Sequence, residues 1–107
     1  MIMDLSPQEL KAKLAAGWSP VLVDVRRPEE WNFNRLPGAV WIPLDTFADR
    51  AEKELPADAE IVIYCHHGMR SDMARKFLVA KGYANVFNLT GGIDAWSLQV
   101  DPTVPRY

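Results

Sequence analysis

The chain has one cysteine, Cys65, followed directly by His66-His67-Gly68-Met69-Arg70-Ser71. A thiol, two imidazoles, a guanidinium and a hydroxyl within seven residues could support nucleophilic chemistry, the thiolate attacking and the neighbouring donors holding the anion. The preceding segment, Glu60-Ile61-Val62-Ile63-Tyr64, is apolar and β-branched, and the segment from Asp72 to Lys81 has helical spacing. The thiol therefore falls where a strand gives way to a helix. In an open α/β sheet, ligands gather outside the carboxyl ends of the strands. A helix N-terminus at that place brings unpaired N–H groups and partial positive charge. Gly68 allows positive φ, so the amides from His66 to Arg70 can converge on an anion. Arg70 adds a permanent charge with a planar fork of donors. Together these features favour the thiolate.

Plainer readings exist for each residue alone. A lone cysteine after an apolar strand is most often a small buried hydrophobe. That reading is weakened here because the strand ends at the thiol and polar, turn-forming residues follow. His66 and His67 each read singly as exposed loop residues, and Arg70 as a surface charge. A metal centre is disfavoured, because adjacent histidines are expected to point apart and no further cysteine completes a tetrahedral set. The combination at a strand–helix junction carries the argument.

The surrounding elements must position that loop. Ser6-Pro7-Gln8-Glu9 has the form of a capping box with proline at the first helical position, so a helix begins there. Leu10, Leu14 and Ala15 give it an apolar stripe, and Gly17 is placed to end it. Val21 to Val25 is a near-continuous apolar run interrupted by Asp24, as suits a strand covered on both faces. Pro28-Glu29-Glu30 reads as a short helical turn, acidic where the helix dipole favours it. Leu36 to Ala39 is a turn, and Val40 to Leu44 a strand ended by Pro43. Asp45 or Thr46 then caps a helix running to about Leu55, with Phe47, Ala51 and Leu55 on one face. In the helix after the loop, Met73, Ala74, Phe77 and Leu78 form the apolar face, and Gly82 is the stop. Asn85 to Leu89 is a last strand, Gly91-Gly92 a turn, and Ile93 to Trp96 one helical turn. Two prolines make the segment 98–107 an extended tail. Strands alternating with helices imply a parallel sheet covered on both sides.

Composition sets outer bounds. A chain of 107 residues is most simply one domain, with a core over about 5–97. Its 49% hydrophobic and 24% charged content is that of an ordinary globular domain. A net charge of −2 with no basic run argues against a nucleic-acid surface. The first 17 residues are broken by Asp4, Glu9 and two lysines and lack a signal-peptide core, and no stretch approaches a membrane span. One cysteine forms no internal disulfide, so a cytoplasmic location is the default.

Four segments in this order carry a resemblance: Leu22-Val23-Asp24-Val25-Arg26-Arg27-Pro28-Glu29-Glu30-Trp31, Leu36 to Pro43, the loop Tyr64 to Ser71, and Asn88 to Trp96. Across about Val21 to Trp96 the chain resembles the single-domain rhodaneses, which are sulfurtransferases. The resemblance implies a five-stranded parallel sheet with helices on both faces and a six-residue active-site loop, Cys65 to Arg70. It implies that Cys65 attacks a sulfane donor such as thiosulfate and carries the sulfur as a persulfide to cyanide or a thiol, without a cofactor. His66, His67, Gly68, Met69 and Arg70 would surround that sulfur, with Arg70 attracting the anionic donor. Ser71 would cap the helix or donate to the sulfur, with capping the safer reading. Asp24 and Arg26 would form a buried pair supporting the site, and Trp96 with Gly91-Gly92 would be structural. One departure stands out: Asn34-Arg35-Leu36 replaces the family's frequent Gly-His-Ile, so no role for that histidine transfers. Arg35 is a candidate for the pocket mouth, although a solvated position suits it better. Two alternatives remain. One is a persulfide carrier acting with a sulfur-relay protein; the other is a phosphatase or arsenate reductase of the same fold, whose loop is one residue longer. Neither nucleic acid nor membrane is an expected partner.

Overall fold

The computed structural model describes residues 4–107; Met1 to Met3 of the N-terminal segment read for a targeting signal lie outside them. Five strands, β1 (Asp4–Leu5), β2 (Val21–Asp24), β3 (Val40–Trp41), β4 (Ile61–Tyr64) and β5 (Val86–Leu89), form one sheet in the order β1-β5-β4-β2-β3. Every pairing is parallel. The helices are α1 (Pro7–Ala15), α2 (Pro28–Phe33), α3 (Leu44–Glu54), α4 (Met69–Ala80) and α5 (Gly92–Gln99). The α/β class, the five parallel strands and the helices on both faces are as the sequence led us to expect. No helix among the described residues is long and apolar enough to cross a membrane.

The central strand shows how the layers arise. Successive side chains of a strand point to opposite faces. Ile61, Ile63 and Cys65 accordingly join a cluster with Phe47 and Ala51 of α3 and Ala74 and Leu78 of α4. Val62 and Tyr64 join the opposite cluster, with Leu10 of α1 and Ile93 and Trp96 of α5. All four residues of β4 are fully buried, which is why that segment is apolar throughout.

Several boundaries differ from the sequence reading. The edge strand β1 has no sequence signal, since two residues carry no alternation. β3 stops at Trp41, because Pro43 is already the N-cap of α3; neither Asp45 nor Thr46 occupies that position. Ser6 does form both halves of the predicted capping box with Glu9. Ala15, however, is exposed, and the buried members of α1 are Pro7 and Leu10. Helix α4 begins three residues earlier than expected, inside the loop. That changes its inner face to Ser71, Ala74 and Leu78 and leaves Met73 62% exposed. Helix α5 runs through Gln99, so Leu98 and Gln99 are helical rather than part of an extended tail. The remaining segment turns back: Val104 is buried in the core, and its carbonyl accepts a hydrogen bond from the Ser97 hydroxyl.

Candidate functional site

Cys65 follows the last residue of β4, at the carboxyl end of the middle strand. Gly68, at φ 105°, then turns the chain into α4 as its N-cap. That left-handed conformation is one that glycine alone adopts at little cost. It brings the Gly68 N–H to 3.1 Å from Cys65 Sγ. The Ser71 hydroxyl lies 3.4 Å from the same sulfur. Of the loop amides expected to surround the thiol, Gly68 is thus the one that reaches Sγ itself. Ser71 sits inside α4 rather than capping it, and its hydroxyl donates to Asn88 Oδ1 at 2.5 Å. Asn88 in turn donates through Nδ2 to the Gly68 carbonyl at 3.2 Å, bracing the loop from β5. Sequence reasoning missed Asn88; the one available signal was an amide in an otherwise apolar strand.

The loop is also held by α5. Ile93 N–H and Asp94 N–H donate to the carbonyls of Cys65 and His66 at 2.9 and 3.1 Å. The unpaired donors of one helix start are therefore satisfied by the backbone of the Cys65 turn. This close approach requires Gly92, at φ 63°, since a methyl group there would collide with the carbonyl oxygens of both Cys65 and His66. Gly92→Ala is expected to cost about 2 kcal/mol and to lower Tm by roughly 10 °C, measurable by thermal melting.

Asp24 and Arg26 form the buried pair anticipated from sequence, 2.7 Å apart with both side chains wholly inaccessible. Arg26 donates further to Asn34 Oδ1 (2.7 Å), the Asn34 carbonyl (2.6 Å) and the Tyr107 hydroxyl (3.0 Å). Asn34, at the point of departure from the family pattern, is thus part of this support. Its own Nδ2 donates to the Pro105 carbonyl, tying down the C-terminal segment. Arg35 does not line the mouth of the site; it is exposed, with its guanidinium 4.4 Å from the Trp31 ring centroid.

Arg70 is not free. Its fork is bound by Glu30 at 2.6 and 2.9 Å. Glu30 also accepts from the Arg27 N–H and the Tyr107 hydroxyl, so four donors converge on one carboxylate. The Arg70 bond is the chief cause that holds Glu30 down at about 2, against the opposing effect of burial, with Tyr107 and the Arg27 amide assisting. Arg70 is correspondingly held above its ordinary range, chiefly by Glu30. In the sequence Glu30 reads only as a helix-dipole acid, and Tyr107 only as part of a tail.

The two histidines do not point apart. Their rings stack with centroids 4.0 Å apart, and Tyr107 stacks on the other face of His66 at 4.0 Å. Burial, assisted by His67, holds the His66 imidazole below its usual range. Both Nε2 atoms face Asp94, at 4.0 and 3.6 Å. His66, His67 and Asp94 are the residues whose ligand atoms could meet around an ion. The carboxylate is already engaged by Arg106, whose Nε lies 2.9 Å from Oδ1. The Met69 side chain is 81% exposed.

The Rhodanese-like domain family matches residues 6–99. The chain belongs to that family. It is 36% identical to a sulfurtransferase of Allochromatium vinosum, the match covering 97% of this chain and 96% of that one. It is also 36% identical to the adenylyltransferase and sulfurtransferase UBA4 of Candida albicans over 96% of its own length, but spans only 25% of UBA4. Among solved structures, the rhodanese-like domain protein of Staphylococcus aureus superposes with a TM-score of 0.84 at 31% identity, covering 100% of this chain and 99% of that one.

Proposed function

We propose that this domain transfers sulfane sulfur through a persulfide on Cys65. The observation that carries the reading is the environment of Sγ. The sulfur ends the central strand, at a helix N-terminus, and accepts from the Gly68 N–H, with the Ser71 oxygen 3.4 Å away. A backbone donor fixed by the turn stabilises a sulfur anion without having to reorganise. The Cys65 thiolate attacks the outer sulfur of the donor; with thiosulfate, the S–S bond breaks and sulfite leaves with the bonding pair. The persulfide then yields its outer sulfur to a thiol, or to cyanide as thiocyanate, which restores the thiolate. Within this reading Cys65 is the nucleophile, His66 to Arg70 form the persulfide-binding loop, and Asp24 with Arg26 supports it. Cys65 is the chain's single cysteine, so no internal thiol can resolve the persulfide and an external acceptor is required.

Mass spectrometry after thiosulfate treatment tests the proposal. One added sulfur on the peptide containing Cys65, removed by cyanide, is expected; an unmodified thiol under all sulfane donors would refute it. A second reading, in which a partner protein supplies the sulfur, is favoured by the exposed Met69 and Met73 one turn apart at the start of α4. It is supported too by the chain's match to one part of the longer UBA4. Turnover with a protein persulfide but not with thiosulfate would select it.

A further inference from the structure

We propose that Glu30 is a specificity-determining residue: held on Arg70 with the help of Tyr107, it cancels the loop's own cation and biases the site against doubly charged sulfur donors. The loop offers one permanent positive charge, and that charge is occupied. Glu30 takes both arms of the Arg70 fork, and is itself fixed by the Arg27 amide and the Tyr107 hydroxyl. Tyr107 is in turn held by a hydrogen bond from Arg26, by stacking on His66 and by edge contact with Phe33. The carboxylate is therefore built in rather than a surface acid that happens to lie nearby.

The clefts bordering the loop add no surplus of positive charge. Two clefts, of about 310 and 290 Å³, share Arg27 and Arg70. Their lining includes three arginines, Arg26, Arg27 and Arg70, against three carboxylates, Glu29, Glu30 and Asp45. A third cleft, on the His67 side, has Asp4 and Asp72 against Lys76, and Lys76 is paired with Asp72. A dianion approaching by any of these routes gains little from the field, whereas an unopposed Arg70 would draw it in. The donor class best matched to this mouth carries its sulfane sulfur on a singly charged or neutral group, as an organic persulfide or thiosulfonate does.

Charged and neutral alkylating reagents read the field at Cys65 directly, whatever reaction the site performs. With a single cysteine in the chain, the rate ratio of iodoacetate to iodoacetamide is unambiguous. Glu30→Gln should raise that ratio about three- to tenfold at low salt, with the gain shrinking at 0.5 M salt. Tyr107→Phe, which keeps the ring on His66 but removes a donor from Glu30, should shift it in the same direction by about twofold. Glu54→Gln, a remote carboxylate paired with Arg50 on α3, should leave it unchanged. A second arm rests on the sulfur-transfer reading. The ratio of kcat/KM for thiosulfate to that for methanethiosulfonate, which differ by one charge, should rise in Glu30→Gln by a similar factor.

An alkylation ratio unmoved in both Glu30→Gln and Tyr107→Phe would overturn the proposal. So would a thiol that neither reagent modifies in any variant, because a sealed sulfur has no use for a counter-charge. Movement of the alkylation ratio without sulfur transfer from either donor would leave the role of Glu30 standing and remove the sulfur-transfer reading instead.

Discussion

Replacing Cys65 by serine should reduce thiosulfate:cyanide sulfur transfer by about a thousandfold or more, while the protein keeps its fold. The exchange alters one atom in a position that is 1% exposed and packed on the α3–α4 side of the sheet. A serine oxygen can accept the Gly68 N–H in place of the sulfur, so the loop retains its anchor. What it cannot do is form a persulfide, since no S–S bond is possible at oxygen. Thiocyanate production measures the activity, and thermal melting confirms that folding survives, with Tm expected within a few degrees of wild type. Retention of substantial cyanide-dependent turnover by a folded Cys65→Ser protein would place the nucleophile elsewhere. The chain offers no second thiol to take that role.

The buried state of Cys65 meets the plainer of its two readings and leaves room for the other. It is a core residue, as a lone cysteine after an apolar strand usually is, and it also accepts a hydrogen bond from a loop amide. The sequence displayed both because the strand's period ends at the thiol and Gly68 follows three residues later. The apolar run of β4 and the capping box at Ser6 were legible for the same reason: each is a local pattern with a local cause. Ser71 and Met73 were misplaced because helix α4 begins at Met69, two residues ahead of Ser71. A glycine N-cap gives no side-chain signal of where a helix starts. Glu30 and Tyr107 could not be assigned from sequence at all, and Asn88 showed only as an amide in an apolar strand. Glu30 meets Arg70 across 40 residues and Tyr107 meets Glu30 across 77, and nothing in the neighbourhood of either announces the partner. The adjacent histidines failed differently. The expectation that they diverge holds for regular elements, but a loop bound at its carbonyls by α5 and faced by Tyr107 stacks them instead.

Arg26→Met should be the most destabilising single change at the site, costing about 3–5 kcal/mol. Arg26 and Asp24 are both fully buried, and Arg26 supplies every arm of a network that joins β2 to Asn34 and Tyr107. Methionine fills much of the arginine's volume, so the loss arises chiefly from the charge and not from a cavity. It would leave the Asp24 carboxyl in an apolar interior without its guanidinium partner, although the Arg26 backbone N–H, at 2.9 Å, would still donate to it. The double variant Asp24→Asn/Arg26→Met removes the stranded carboxyl and should recover more than half of the lost stability. A charge pair kept only for its favourable energy would show no such recovery. Chemical denaturation of wild type, both single variants and the double variant forms the required cycle. The double variant should nonetheless transfer sulfur poorly, because Arg26 also holds Tyr107, whose ring packs on His66 of the loop. Stability restored together with full activity would show that the buried pair supports the fold alone and that the contacts from Asp24 to His66 carry nothing to the sulfur.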